Sequence, residues 1–140
     1  MTSIRNIIDR YKHMRSINQL RQVPIGQYAF VGFGNHSTSN LYPVLDYLHV
    51  PLKYICCKSE DKVQLIKTAY PHIHVTLSLQ ELLDDEEVKG VLVAVSPQEH
   101  FQIASAVLKS GKAIFIEKPP CQNMDELMQL VNISISTKVS

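Results

Sequence analysis

A chain of 140 residues, 45% hydrophobic and 19% charged with a net charge of +1, has the size and composition of one globular domain with a sizeable core. No apolar run approaches the ~20 residues of a membrane span, the N-terminus lacks the apolar stretch of a secretory signal, and the near-neutral balance argues against nucleic-acid binding. Three cysteines, two of them adjacent, make neither a disulfide framework nor a zinc spacing, and they point to a reducing, cytoplasmic compartment.

Residues 1–22 carry Arg5, Arg10, Lys12, Arg15 and Arg21 against the single acid Asp9. Ile4, Ile7, Ile8, Tyr11 and Met14 recur at helical spacing, which predicts a basic amphipathic helix over residues 1–24. Its plainest role is a linker that docks on its own domain or on one upstream.

From residue 25 onward short apolar runs alternate with capped helical patterns. Tyr28 to Phe33 predicts a first strand, followed by the turn Gly32-Phe33-Gly34 and a helix through Leu48. Pro43 fits only a first helical turn, which places the regular helix near Asn40 and leaves Asn35 to Ser39 as a polar loop. Leu52 to Cys57 predicts the second strand, with Cys56 and Cys57 on opposite faces. Ser59 caps a helix carrying Glu60 and Asp61 in its first turn and ending before Pro71. A short strand near His74 to Thr76 leads to the capping box Ser78-Leu79-Gln80-Glu81. The run Asp84 to Glu87 reads as a solvated turn, and Val88 to Val95 as a strand covered on both faces. Ser96-Pro97-Gln98-Glu99 is a second capping box, its helix burying Phe101, Ala104, Val107 and Leu108, with Gly111 as the C′ residue. Ala113 to Ile116 predicts another central strand, and Asn123 caps a final helix to Val131.

This order predicts an α/β fold with a doubly wound, Rossmann-like parallel sheet over residues 25–140. Ligands in such sheets sit at the carboxyl ends of the strands. Gly32-x-Gly34-x-x-Ser37 stands between strand and helix: Gly32 permits the turn, Gly34 lets the backbone approach a pyrophosphate, and the small Ser37 allows close packing. Asn35, His36, Ser37 and Thr38 are candidate donors to that phosphate, although an exposed loop histidine is the commoner reading of His36. The fingerprint's ribose-binding acid is missing from Cys56-Cys57-Lys58-Ser59. A cation and a hydroxyl there favour NADP over NAD, with Lys58 and Ser59 as contacts; the plainer alternative is a solvated lysine and a helix cap. Glu117-Lys118, at the end of the last strand, is either a solvated pair or a lysine held near a nicotinamide and substrate oxygen. No residue pattern suggests a metal site.

The segments Phe30-Val31-Gly32-Phe33-Gly34, Leu41-Tyr42-Pro43-Val44-Leu45, Ser78 to Asp85, Val93-Ala94-Val95-Ser96-Pro97 with His100, and Gly111 to Pro119 with its Glu-Lys-Pro signature resemble the N-terminal domain of the glucose-fructose oxidoreductase, inositol dehydrogenase and MocA-like family over residues 26–131. The resemblance implies hydride transfer between NAD(P) and a hydroxyl or keto carbon of a sugar, inositol or related compound. It implies that Lys118 lies beside nicotinamide and substrate, that Gly32, Gly34 and Ser37 bind pyrophosphate, that Ser96, Pro97 and His100 line the cofactor cleft, and that Glu117 contacts ribose or positions Lys118. Cys57 stands where NAD-preferring members carry an acid. The family's C-terminal substrate domain is not in this sequence, so the chain is expected to bind cofactor and turn over little by itself. A non-catalytic dinucleotide sensor or partner-docking module is the competing class; a retained Lys118 counts against it.

Overall fold

The computed structural model describes residues 26–139; the helix expected over residues 1–24 lies outside the described residues. Five parallel strands, β1 (Gln27–Val31), β2 (Leu52–Cys56), β3 (His74–Thr76), β4 (Val88–Val93) and β5 (Ala113–Ile116), form one sheet in the order β3-β2-β1-β4-β5. Their connections are helical: α1 (Tyr42–Tyr47), α2 (Glu60–Ala69), α3 (Leu79–Asp84) and α4 (Pro97–Lys109), with α5 (Met124–Thr137) after the last strand. The order reverses direction between β1 and β4, which makes that boundary the switch point of a Rossmann-like sheet.

Alternation along the strands sorts the core into two layers. Ala29, Val31, Cys56, Val91 and Val93 pack with Leu82, Leu83 and Val107 on one face. Phe30, Ile55 and Cys57 pack with Tyr42, Leu45 and Ile66 on the other. The adjacent cysteines therefore do point opposite ways, and both are buried.

The helix after β1 begins earlier than Pro43 suggested. Thr38 N–H already bonds the Gly34 carbonyl (3.0 Å), and the chain then widens into a π turn over Ser37–Leu41, where Tyr42 N–H reaches back to the Ser37 carbonyl. Widening separates the proline ring from the carbonyl it would strike in a regular helix, so the turn absorbs Pro43 without a break. The last helix runs to Thr137, past the expected end at Val131. Its Asn123 cap accepts Glu126 N–H as expected (2.9 Å).

The acidic run is not simply a solvated turn. Asp85 accepts from the Lys53 ammonium (2.6 Å), the Tyr54 hydroxyl (2.9 Å) and Glu87 N–H (2.9 Å). Glu87 also pairs with Lys53. The buried Lys112 ammonium donates to the carbonyls of Asp85 (2.8 Å) and Val88 (2.9 Å), which ties the loop before β4 to the one before β5. All of this lies at the amino ends of the strands, opposite the switch point.

The Lys53 contact, followed by the Glu87 amide, lowers the Asp85 carboxyl from 3.8 to about 2. A depressed carboxyl stabilises the fold above its unfolded value and loses that contribution as pH falls through the folded one. Urea midpoints should therefore fall between pH 4 and about 2, and Asp85→Asn should be less stable at pH 7 and show a flatter slope across that window.

Candidate dinucleotide cleft

The site is built from the turn that ends β1. Gly32 has φ +118°, and a Cβ there would lie 2.1 Å from the Ala94 carbonyl oxygen at the end of β4. Gly34 differs: a Cβ there would meet nothing within 4 Å. The first glycine is required by the fold, while the second leaves space free in front of the helix that follows.

The polar side chains of this turn are spent on the turn itself. Ser37 Oγ accepts from Gly34 N–H (3.0 Å) and donates to the Gly34 carbonyl (2.9 Å). Thr38 Oγ1 donates to the same carbonyl (3.0 Å), and Asn40 Nδ2 donates to the His36 carbonyl (3.1 Å). The expected Ser37 and Thr38 hydroxyl donors thus serve as local caps. Asn35, His36 and Ser37 line the open space; the first-turn N–H groups of the helix they open have no intrahelical acceptors and lie at the positive end of the helix dipole.

Two further groups hold the turn. Tyr42, buried among Phe30, Phe33 and Tyr70, donates its hydroxyl to the Gly32 carbonyl (3.0 Å). Burial pushes its ionisation far above the ordinary tyrosine range. Lys62, on α2, donates to the Phe33 carbonyl (2.8 Å) and brings a cation to the lining of the cleft.

The cleft that opens over this turn has a volume of about 530 Å³, within the usual range of ligand pockets. Gly32, Gly34, Asn35, His36, Ser37, Cys57, Lys58, Ser59 and Ser96 all line it. At the β2 end, burial raises the Cys57 thiol and keeps it neutral. The Lys58 ammonium there is paired with Glu99 of α4, whose other oxygen accepts the Ser96 hydroxyl (2.7 Å). Leu77, Leu79 and Ile103 give this end an apolar wall.

Glu117 extends the β5 ladder, its N–H bonding the Val93 carbonyl (3.0 Å). Its carboxylate lies 3.6 Å from His36 Nε2, which brings the end of β5 to the glycine turn, although Glu117 and Lys118 stand outside the lining of the cleft. Lys118 follows, exposed, with a cis bond to Pro119.

Pro97 and His100 stand behind the cleft rather than on its wall. Pro97 occupies the first turn of α4. His100, 1% exposed, hydrogen-bonds the Pro119 carbonyl through Nδ1. A carbonyl can only accept, so Nδ1 carries a proton, and Nε2 is buried without a partner among the described residues. The histidine ties the Lys118-Pro119 turn to α4. Lys62, Glu99, Leu77, Leu79 and Ile103 were not singled out from sequence. Of these, only Glu99 carried a signal, three residues after a helix cap, where it read as capping alone.

Residues 27–140 match the model of an oxidoreductase family with an NAD-binding Rossmann fold, that of glucose-fructose oxidoreductase, inositol dehydrogenase and MocA. The chain belongs to this family. It is 31% identical over 112 residues to the uncharacterized oxidoreductase YhhX of Escherichia coli K12, covering 77% of this chain and 32% of that one. It is 29% identical over 75 residues to an inositol 2-dehydrogenase/D-chiro-inositol 3-dehydrogenase of Lactiplantibacillus plantarum, covering 54% and 20%. Among solved structures, GenD2 from gentamicin A biosynthesis in complex with NAD superposes with a TM-score of 0.73 at 27% identity, covering 84% of this chain and 35% of that one. The chain spans about a third of the length of the curated relatives it matches first. For a member of this family the free space at Gly34, facing helix N-terminal amides at the switch point, fits a pyrophosphate.

The two glycines separate folding from binding. Gly32→Ala should cost about 3 kcal/mol or more, because backbone rather than a movable side chain stands in its way. Gly34→Ala should stay within about 1 kcal/mol of the parent in urea unfolding, the scale of a changed N-cap.

Proposed function

We propose that this chain forms the cofactor half of an NAD(P)-dependent oxidoreductase acting at a hydroxyl or keto carbon of a sugar, inositol or related polyol. One observation carries the reading. The open space at Gly34 faces first-turn amides at the switch point, and the neighbouring strand end delivers Glu117 and Lys118 to the same edge.

In this reading the amides of Asn35, His36 and Ser37 bind the pyrophosphate, with the Lys62 charge beside them. The apolar wall of Leu77, Leu79 and Ile103 takes the adenine. Glu117, close to His36, orients the turn and contacts the nearer ribose. A nicotinamide held there would supply hydride transfer at its ring carbon. Lys118 holds the substrate oxygen by its ammonium and supports proton movement at that oxygen. His100 positions Lys118 through the Pro119 carbonyl. The inositol dehydrogenase relative supports the polyol class, and three free thiols fit a reducing, cytoplasmic setting. Relatives about three times as long support a substrate site shared with further chain.

Fluorescence titration with NADH and NADPH tests this directly, since the chain has no tryptophan to interfere. Saturable binding is expected. Gly34→Asp should weaken it at least ~100-fold by setting a carboxylate against the pyrophosphate. Lys118→Met should leave it within about fivefold, the scale of one exposed charge. A folded chain that binds neither dinucleotide would overturn the reading.

A further inference from the structure

The β2 end of the cleft lacks the carboxylate that holds an adenosine ribose in NAD-binding Rossmann sheets. Cys57 occupies the strand end as a buried neutral thiol, a poor acceptor for a diol. On sequence grounds the next residue, Lys58, suits a 2′-phosphate. The fold gives that lysine a different partner. Its side chain, 80% exposed, reaches across the mouth of the cleft to Glu99 on the first turn of α4, whose side chain is 25% exposed. Glu99 is held from two sides, by the Lys58 ammonium and by the Ser96 hydroxyl, and these contacts keep it ionised by lowering its carboxyl below the ordinary value. Ile103, one helical turn on, belongs to the apolar wall beside it.

We propose that Glu99 is the residue that selects the dinucleotide. Its carboxylate, carried by α4 instead of the end of β2, supplies the negative charge at the adenosine ribose and favours NAD(H) over the 2′-phosphorylated form. The inference rests on the proposed cofactor reading of the cleft and deepens it.

A carboxylate has about four acceptor sites, so Glu99 can keep Lys58 and Ser96 and still accept a ribose hydroxyl. A 2′-phosphate at the same place adds nearly two negative charges beside an ionised carboxylate. It must also share or capture the one ammonium that neutralises Glu99, so the gain at Lys58 is offset by exposing Glu99. Selection of this kind works by repulsion of the wrong ligand as much as by attraction of the right one. The lysine that favours NADP in the sequence then serves chiefly to hold the acid in place.

The test measures NADH and NADPH dissociation constants by nicotinamide fluorescence for the purified 140-residue chain and for Glu99→Gln, Lys58→Ala and the double variant. The parent should bind NADH at least ~10-fold more tightly than NADPH, the scale of a like-charge contact at a binding site. Glu99→Gln keeps the Ser96 hydrogen bond and frees Lys58; it should move the NADPH/NADH ratio at least ~10-fold toward NADPH, and added salt should shrink that gain. Lys58→Ala should keep the preference for NADH, and the double variant should lose the NADPH gain of Glu99→Gln. A parent that prefers NADPH, or a Glu99→Gln variant that changes both constants equally, would overturn the assignment while leaving the cofactor reading intact. Failure of the folded parent to bind either dinucleotide would overturn both.

Discussion

Everything at the carboxyl edge of this sheet depends on one missing methyl group. β1 and β4 run side by side, and where β1 leaves the sheet its backbone passes so near the Ala94 carbonyl that no side chain fits at Gly32. That approach is possible only with the positive φ that glycine tolerates. It turns the chain sharply enough for the next helix to start at once, with its amides aimed over the crevice between the two strands. The nucleotide-facing geometry is therefore a consequence of backbone packing, and the side chains nearby, Tyr42 from below and Lys62 from the side, only hold it in place.

The two ends of the sheet are stabilised by different means. At the amino edge, Lys53, Asp85, Glu87 and the buried Lys112 satisfy one another and the loop carbonyls, leaving little there for a ligand to do. At the carboxyl edge the charged pairs, Lys58 with Glu99 and His36 near Glu117, join one element to another. The amino edge is held by contacts internal to the fold, and the carboxyl edge is where function is proposed.

The order of strands and helices was legible because each has a local cause: β-branched runs for strands, caps at Ser78 and Asn123, and proline stops. The glycine turn was legible for the same reason. Less legible was whatever depends on partners distant in sequence. Pro43 alone suggested a late helix start, because nothing local announces a π turn. Asp85 looked solvated because its partners, Lys53 and Tyr54, come from a strand some thirty residues earlier. The pairing of Lys58 with Glu99 was equally hidden, because Glu99 is brought to it only when α4 packs over the end of β2. His100 was placed on the cleft wall by resemblance, whereas packing puts it behind the Lys118-Pro119 turn.

Tyr42 has a consequence of a different kind. With six tyrosines and no tryptophan, the near-ultraviolet spectrum of this protein belongs to phenols, and only one of the described phenols is buried beneath the glycine turn and bonded to its carbonyl. Any shift of that turn changes the polarity around this ring and the strength of its hydrogen bond. The molecule thus carries its own optical gauge of the turn, readable as tyrosine absorbance or circular dichroism without a label.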